Sequence, residues 1–468
     1  MRNGLTWDEI CAATGASVRR GGVAGDTVLP ITTDTRKVAA GDLFVALRGE
    51  NFDGTAFAAE ALERGAAAAL VDQKTPAAAL TALDAARGGV LVAEDTLRAY
   101  QDIAHAWRMK FDIPVVAITG SNGKTTTKDL TAAVLSGRGK VCRTAANYNN
   151  EVGLPLTLLG ITPEDTAAVV EIGMRGMGQI AALAPIAAPS IGIVTNVCEV
   201  HMELLGSIEN IAKAKAELVT AIPAGGTVIL NADDPRVAAM HSSAADGVRV
   251  MTYGISAAAD VRAEALQCMA DGSRFMVTWD GERHEYAIPL PGRHNVSNAL
   301  AALAAGFVLG MTPQEMQAGL THLTAEKMRY EVHQVGAWTL INDAYNASPS
   351  SMRASLETTA ALYPGRRIAV LGDMLELGAA AEKAHQGVGR RAAELGFAMV
   401  VTYGKQAQWT HETAEAAGCP ACYHAASHAD AAAYLRSHLM DGDTVLFKGS
   451  RGMRMEQIIA ALTGEGAH

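Results

Sequence analysis

A glycine-rich loop between a buried strand and a helix constrains this chain more than any other feature of its sequence. The loop comprises Gly120, Ser121, Asn122, Gly123, Lys124, Thr125 and Thr126. It follows the apolar run 114–119, which is typical of a buried parallel strand, and a helical pattern begins near Thr126. Glycines in such a loop allow backbone N–H groups to surround phosphate oxygens beside the helix N-terminus. The sequence therefore predicts a nucleotide-binding strand–loop–helix unit.

The loop is a shortened form of the standard phosphate-binding motif. The standard G-x-x-x-x-G-K-[ST] pattern requires glycine at position 118, where this chain has Ile118. Lys124 is placed to reach the β- and γ-phosphates, and the Thr125 hydroxyl to ligate magnesium. Because G-x-x-G-K-T also occurs by chance, the alternative is a glycine turn followed by a solvated lysine. The position between a strand and a helix favours nucleotide binding.

The chain is too long, at 468 residues, for one ordinary core, so several domains are expected. Apolar runs alternate with helical stretches through most of it, which is typical of βαβ units. We predict an α/β protein with three domains. These are a small N-terminal α/β domain at 1–95, a central phosphate-loop domain with a doubly wound, mainly parallel sheet at 96–325, and a C-terminal Rossmann-like α/β domain at 326–468. A capping box from Thr6 to Glu9 predicts an N-terminal helix that ends at Gly15, and a long amphipathic helix is predicted around 292–309.

Charge, hydropathy and cysteine spacing exclude other classes of protein. A net charge of −10 argues against nucleic acid as the main partner, because phosphate-backbone binding needs clustered Lys and Arg. We expect a cytoplasmic protein, since no apolar signal segment precedes the first helix and no stretch reaches the roughly 18 apolar residues of a membrane span. Cys419 and Cys422 form a C-x-x-C pair. No second pair or nearby histidine cluster completes a zinc site, so two reduced cysteines in a loop are expected.

Candidate partners for the phosphate loop follow the next strands of the central region. A second magnesium ligand is needed at the end of a neighbouring strand, and Glu171 ends the apolar run 167–170. Taken alone, Glu171 has an alternative as an exposed strand-end carboxylate. His201 is likewise an ordinary loop histidine by itself, and Lys213 and Lys215 are ordinary solvated lysines on a helix.

In combination these residues resemble the Mur ligases, the ATP-dependent amide-forming enzymes of peptidoglycan precursor synthesis. The order of that family is present: a T-G-x-x-G-K-T-T loop, N-N-E-V-G-L-P at 149–155, E-I-G at 171–173, His201, and A-K at 214–215. Segments 33–36, 41–49 and 53–54 are similar to the UDP-sugar-binding domain of the last two ligases of the series. The Asp-Asn-Pro-Arg motif of the diaminopimelate-adding ligases is absent.

Three C-terminal motifs are similar to the branch of the family that adds D-alanyl-D-alanine to UDP-N-acetylmuramoyl-tripeptide. They are N-D-A-Y-N-A-S-P-S-S-M at 342–352, L-G-D-M-L-E-L-G at 371–378 and K-G-S-R-G-M at 448–453. Ser348 departs from the asparagine usual in the family, and little effect is expected if the position only shapes the turn before Pro349.

The resemblance implies an acid–D-amino-acid ligase that uses ATP and two magnesium ions and forms an acyl phosphate. The catalytic candidates are Lys124, Glu171, His201 and Lys215. By the same resemblance Thr125 and Glu171 hold the first magnesium ion and His201 and Lys215 the second, Lys215 matching the lysine that the family carries as a carbamate. The implied ATP-binding residues are the phosphate loop with Asn149, Asn150, Asn295, Asn298, Arg329 and Asp343.

The implied substrates are UDP-N-acetylmuramoyl-tripeptide, ending in lysine or diaminopimelate, and D-alanyl-D-alanine, bound by a monomer. Thr33, Asp34 and Arg36 are proposed for the UDP-sugar, with a turn-forming role as the alternative. Weaker candidates, each with an alternative as a loop or interface polar group, are Tyr345, Asn346, Lys448 and Arg451. Rival functions are a folylpolyglutamate synthase-like or diaminopimelate-type ligase and, in another class, a scaffold protein that hydrolyses ATP as a switch.

Overall fold

The computed structural model describes residues 4–49, 52–200, 202–323 and 326–464. The N-terminal elements are β1 (Leu5–Thr6), α1 (Trp7–Thr14), β2 (Ser17–Arg20), β3 (Val28–Leu29), β4 (Ile31–Thr32), β5 (Leu43–Val45), β6 (Arg48–Gly49), β7 (Phe52–Asp53), α2 (Ala58–Glu63), β8 (Ala68–Asp72), α3 (Ala77–Ala85), β9 (Gly89–Ala93) and α4 (Thr96–Arg108). Five of these strands form a sheet in the order β2-β9-β8-β5-β4, parallel except for β2.

The predicted N-terminal helix is confirmed as α1. The Glu9 N–H donates to Thr6 Oγ1 and the Thr6 N–H to Glu9 Oε2, which is a capping box. Gly15 ends the helix with a φ of 63°, a conformation that glycine adopts without a steric cost. Trp7 and Ile10 of this helix share a core with Tyr100 of α4.

The central elements are β10 (Val115–Thr119), α5 (Lys124–Ser136), β11 (Lys140–Arg143), α6 (Gly153–Leu159), β12 (Asp165–Glu171), α7 (Gln179–Ala187), β13 (Ile191–Val194), α8 (Met202–Leu205), α9 (Ile208–Thr220), β14 (Thr227–Asn231), α10 (Pro235–Ala238), β15 (Arg249–Gly254), β16 (Val261–Met269), β17 (Gly272–Trp279), β18 (Glu282–Ile288), α11 (Arg293–Val308) and α12 (Pro313–Leu320). Their strands form one sheet in the order β11-β12-β10-β13-β14-β15-β16-β17-β18. The sheet is parallel as far as β16 and antiparallel from β16 to β18.

Helices cover both faces in the middle of the central sheet, so β10, β13 and β14 are buried on both sides. Val116 and Ile118 of β10 pack in one core with residues of α5, α11 and α12, whereas Val115 and Ala117 pack in a second core with residues of α6, α7 and α9. This double burial explains the continuous apolar run that predicted the strand. The predicted start of the following helix was two residues late, because α5 begins at Lys124.

Two features of the central region differ from the prediction. The antiparallel extension β16–β18 was not predicted, although Phe275 and Val277 alternate with exposed or half-buried neighbours as a half-buried strand requires. The helix predicted around 292–309 is confirmed as α11, but the prediction that this helix is amphipathic is wrong. Twelve of its residues are buried, because it lies between α5 and the sheet extension.

The C-terminal elements are β19 (Glu331–Val335), β20 (Trp338–Asn342), α13 (Pro349–Leu362), β21 (Arg367–Gly372), α14 (Ala381–Glu394), β22 (Met399–Tyr403), α15 (Ala407–Ala416), β23 (Cys422–Ala425), α16 (His428–His438), β24 (Thr444–Lys448) and α17 (Glu456–Thr463). The sheet order is β19-β20-β24-β21-β22-β23, parallel except for β19. Helices α13, α14 and α15 pack on one face and α16 and α17 on the other.

The predicted fold class is confirmed, with a doubly wound central sheet and a second doubly wound sheet after it. The boundaries predicted near 96 and 326 stay a prediction. Helix α4 contributes Tyr100 and Ile103 to the N-terminal core and Ala104 to a central core. Within the described ranges, none of the helices is long and apolar enough to cross a bilayer.

Candidate active site

A cavity of about 1200 Å³ lies between the carboxyl ends of the central strands and the loops that follow β20, β21 and β24. In open α/β sheets ligands bind at this edge, where neighbouring strands continue to opposite sides. Here β10 lies between β12 and β13, so the glycine-rich loop emerges at such a point. Most of the predicted site residues line the cavity: the loop from Ser121 to Thr126, Asn149, Asn150, Glu171, Asn295, Asn298, Arg329, Asp343, Tyr345, Asn346, Lys448 and Arg451.

The loop has the backbone that its glycines predicted. Gly120 and Gly123 have φ values of 148° and 77°, which favour glycine. A Cβ at Gly120 would collide with the Thr195 side chain, and one at Gly123 would lie 2.6 Å from Asn298 Oδ1. The Lys124 ammonium donates to the carbonyl oxygen of Gly120 at 2.9 Å. Burial lowers the pKa of Lys124, and the Glu171 carboxylate opposes that shift.

A buried hydroxyl–carboxylate pair lies at the base of this loop. Thr125 Oγ1 donates to Glu171 Oε2 at 2.9 Å, and Asn149 Nδ2 donates to Glu171 Oε1 at 2.7 Å. Strand β12 pairs with β10 so that Glu171 lies opposite Ile118. Glu171 is 2% exposed, so the alternative of an exposed strand-end carboxylate is wrong. Oxygen atoms of this kind are the ligands that magnesium prefers.

Lys215 of α9 is also buried, at 2% exposure, so the solvated alternative is wrong for this lysine. Burial lowers its pKa well below the usual value, and the nearby Lys124 cation lowers it further. Lys213, two residues earlier, is exposed and fits the solvated interpretation. His201 was predicted to act with Lys215, but it lies outside the described residues.

Asparagine side chains form the wall beside the glycine-rich loop. Asn295 and Asn298 lie in the first two turns of α11 and are buried. Asn295 Nδ2 donates to the Pro291 carbonyl at 2.8 Å. Asn150 Oδ1 accepts the Gly153 N–H at 2.9 Å, which orders the start of α6. The side chains of all three asparagines line the cavity.

The C-terminal wall of the cavity is built around an ion pair. Lys448 Nζ lies 2.7 Å from Asp343 Oδ2 and donates to the Asn346 carbonyl at 3.1 Å. The Tyr330 N–H donates to Asp343 Oδ1 at 3.2 Å. Arg451 pairs with Glu456 at 2.8 Å and is exposed.

Arg329 crosses the cavity from the C-terminal side. Its Nη2 donates to Thr125 Oγ1 at 2.9 Å. The guanidinium carbon lies 4.2 Å from the centre of the Tyr345 ring, a separation at which the cation is attracted to the ring face. A cation is thereby held at the hydroxyl of the phosphate loop.

The three residues proposed for the UDP-sugar lie outside the lining of this cavity. Asp34 Oδ1 accepts the N–H of Arg36 at 3.0 Å and its Nε–H at 2.9 Å, and Asp34 begins a short 3-10 helix at Thr35–Lys37. The Arg36 guanidinium lowers the pKa of Asp34 to about 2. Asp34 therefore forms a turn, which was the alternative to a substrate-binding role. A substrate role for Thr33, Asp34 and Arg36 stays a prediction.

Sequence reasoning missed the contacts that join the phosphate loop to the C-terminal region. Ser348 Oγ donates to Asn122 Oδ1 at 2.9 Å, and Asn122 Nδ2 donates to Ser350 Oγ at 2.8 Å. Ser348 also caps α13 by accepting the Ser351 N–H. The S-P-S-S run signalled the cap, but nothing local signalled a partner more than 220 residues away. Ser348 therefore does more than shape the turn before Pro349.

A glycine-rich loop with a half-buried lysine, a hydroxyl–carboxylate pair and an arginine from across the cavity defines the class as a P-loop nucleotide-binding protein. Comparison with known proteins narrows it further. Family models match along the chain: "Mur ligase family, catalytic domain" at 28–108, "Mur ligase middle domain" at 118–306 and "Mur ligase, glutamate ligase domain" at 328–451. The chain belongs to the Mur ligase family, as its motifs predicted.

The similarity to individual known proteins extends over nearly the whole chain. UDP-N-acetylmuramoyl-tripeptide–D-alanyl-D-alanine ligases are 37% identical in Bacillus subtilis (92% of each chain covered) and 41% identical in Synechocystis (93% of this chain and 92% of the relative). The crystal structure of MurF from Acinetobacter baumannii has a TM-score of 0.89, 29% identity and 99% coverage of both chains. A MurF ligase from Thermotoga maritima in complex with ADP has a TM-score of 0.81 and 25% identity, covering 93% of this chain and 97% of that one.

Proposed function

We propose that this protein joins D-alanyl-D-alanine to UDP-N-acetylmuramoyl-tripeptide, using ATP to activate the peptide carboxylate. The observation that carries the proposal is that residues of the three C-terminal motifs, 342–352, 371–378 and 448–453, line the same cavity as the phosphate loop. The names of the B. subtilis and Synechocystis relatives support the same substrates.

The nucleotide would be bound by residues from both sides of the cavity. The N–H groups of the glycine-rich loop and the Lys124 ammonium suit the β- and γ-phosphates. Asn295 and Asn298 suit the adenine, and Asp343 the ribose. Arg329, which already reaches Thr125 Oγ1, suits the γ-phosphate. The ADP complex of the T. maritima relative supports a nucleotide here.

Two magnesium ions belong to this proposal. The paired oxygens of Thr125 and Glu171, 2.9 Å apart, fit the first ion, and His201 with a carbamate on Lys215 would hold the second. Bound magnesium neutralises the phosphate charges that would otherwise repel the incoming carboxylate. Buried in the protein, Lys215 has a lowered pKa, so its amine is available to attack carbon dioxide. That step forms a C–N bond, releases a proton and leaves the carbamate anion.

In the reaction, a carboxylate oxygen of the tripeptide attacks the γ-phosphorus and ADP leaves, giving an acyl phosphate. The amine of D-alanyl-D-alanine then attacks the activated carbonyl, and phosphate leaves with the loss of a proton. Lys124 and Arg329 would stabilise the charge that develops on the transferred group. Residues 326–468 would close the cavity over ATP and exclude water, with Tyr345, Asn346, Lys448 and Arg451 near the nucleotide and dipeptide. Residues 1–95 would bind the UDP-sugar.

The test is phosphate release from ATP and Mg²⁺ with UDP-N-acetylmuramoyl-tripeptide, with and without D-alanyl-D-alanine, followed by mass measurement of the product. Release that requires both substrates and yields the UDP-pentapeptide supports the ligase. Release without either substrate would favour the ATP-driven switch instead. Running the tripeptide in its lysine and diaminopimelate forms identifies the acceptor.

A further inference from the structure

A set of charged side chains joins the helix behind the phosphate loop to the segment that leads into the C-terminal sheet. Lys128 lies one turn after Lys124 on α5 and is 1% exposed. Its Nζ is 3.0 Å from Glu326 Oε1 and 3.2 Å from Asp129 Oδ1. Asp129 Oδ1 is also 3.4 Å from Arg143 Nη1. Glu326 lies after the last central helix and before β19, so this pair connects two regions of the chain.

Glu326 has a second cation beside it. Its Oε2 lies 3.7 Å from Arg329 Nε, and the same arginine donates from Nη2 to Thr125 Oγ1 at 2.9 Å. One carboxylate therefore contacts the buried lysine of the central region and the arginine that reaches the phosphate loop.

Burial and charge explain why this carboxylate matters. An ammonium removed from water requires an anionic partner, and Asp129 is shared between Lys128 and Arg143. Glu326 supplies the additional anion. Its side chain is 23% exposed, so the ion pair with Lys128 lies largely out of water, where it is little screened.

Arg329 needs such a fixed neighbour. An arginine side chain has many rotamers, and holding one of them costs conformational entropy. The Tyr345 ring restrains the guanidinium from one side, and Glu326 lies beside its Nε. Preorganised cations contribute most when they do not have to reorganise during the reaction.

We propose that Glu326 is a positioning residue for phosphoryl transfer. Anchored on Lys128, its carboxylate sets the rotamer of Arg329 and brings the guanidinium to Thr125. The segment between the central and C-terminal regions is thereby coupled to the phosphate site. This inference rests on the role proposed above for Arg329.

A double-mutant cycle in the full-length protein tests the coupling. Glu326→Gln, Arg329→Ala and the double variant are compared in kcat and in KM for ATP with both other substrates saturating. We expect E326Q to lower kcat ~10-fold with a smaller change in KM, and R329A to lower it ~10²-fold. Because Glu326 acts through Arg329, the double variant should match R329A within about twofold.

Glu357→Gln is the matched control, because Glu357 pairs with Arg391 at 2.8 Å on the C-terminal region and lies outside the lining of the cavity. It should keep kcat within about twofold of the unmodified protein. Because E326Q leaves the buried Lys128 with only the shared Asp129 carboxylate, its thermal midpoint should fall below that of E357Q. Turnover is therefore compared at a temperature where both variants are fully folded, and the match of the double variant to R329A separates positioning from a loss of folding.

Two results would overturn the proposal. One is an unchanged kcat in E326Q. The other is that E326Q lowers kcat by the same factor in the protein that has Arg329 and in the R329A variant. Failure of the proposed function has a different signature, because the unmodified protein would then release no phosphate in response to the two substrates. If the R329A variant kept full turnover, then neither Arg329 nor Glu326 would have a role in phosphoryl transfer.

Discussion

The two walls of the cavity are both carboxyl edges of doubly wound sheets, yet their polar groups are arranged differently. On the central wall Lys124 begins α5, shortly after β10, and Glu171 ends the neighbouring strand β12. Both are held by contacts within their own region. On the C-terminal wall the Asp343–Lys448 pair is also internal. Arg329 and Ser348, in contrast, reach across to the glycine-rich loop.

This difference separates two tasks. The central wall can present a cation and a carboxylate to a nucleotide by itself, because one sheet fixes their positions. The C-terminal wall adds groups whose distance from the phosphate loop depends on how the two regions are docked. We therefore expect substitutions on the central wall to cause the largest losses of turnover, and substitutions of the crossing contacts to cause smaller ones.

The largest effect is expected for Glu171→Gln. It keeps the shape of the side chain but removes the negative charge beside Thr125. We expect a loss of ~10³-fold in kcat, in the range found when a preorganised catalytic charge is removed, with the fold retained. Phosphate release measures the loss.

Glu209→Gln is the matched control for this experiment, since Glu209 is exposed and faces Arg236 at 3.7 Å on the same region. Its kcat should be unaltered. Turnover in E171Q within about tenfold of E209Q would contradict a metal-binding role for Glu171.

Asp343→Ala tests the internal pair of the C-terminal wall. The change leaves Lys448 buried without its carboxylate, which should lower the free energy of unfolding by about 3 kcal/mol. It should also lower kcat/KM for ATP ~10²-fold, if Asp343 contacts the ribose. Urea unfolding and steady-state kinetics measure the two effects.

The double variant D343A/K448M separates the effect of D343A on stability from its effect on kcat/KM for ATP. Replacing Lys448 by methionine removes the unpaired charge, so stability should recover. The value of kcat/KM should stay low, because both Asp343 and Lys448 line the proposed site. Recovery of both quantities would mean that Asp343 serves only the fold.

Local sequence predicted the central wall better than the crossing contacts, for a physical reason. The glycines at 120 and 123 and the burial of β10 are encoded within a few residues, so the loop and its strand could be inferred directly. Glu171 was inferred from its place at the end of an apolar run, and the family resemblance favoured that interpretation over an exposed carboxylate. Lys215 came from the resemblance, and the burial of both residues depended on how β12 and α9 pack. The contacts of Asn122 with Ser348 and Ser350 join residues more than 220 positions apart. No local pattern encodes them, since they arise from docking two sheets.

Asn122→Ala removes both of those crossing hydrogen bonds at once. The backbone of Asn122 stays held by Asn196 and Thr195, so the loop should keep its form. Since each net hydrogen bond contributes about 1 kcal/mol, we expect KM for ATP to rise ~10-fold with little change in unfolding. Ser350→Ala removes one bond and should give a smaller rise. Equal effects in the two variants would show that Ser348 does not contribute.

The smallest effects are expected at Ser348, where the family usually has asparagine. Asparagine and serine cap helices about equally well, whereas alanine costs about 1 kcal/mol. Ser348→Asn should therefore change the free energy of unfolding by less than about 0.5 kcal/mol, and Ser348→Ala should lower it by about 1 kcal/mol through the lost cap of α13. Urea unfolding of the two variants measures the difference. If S348N keeps stability but raises KM for ATP as much as N122A does, then the bond to Asn122 is what this serine supplies. In that case the contact between the two walls, and not the helix cap, accounts for the serine at this position.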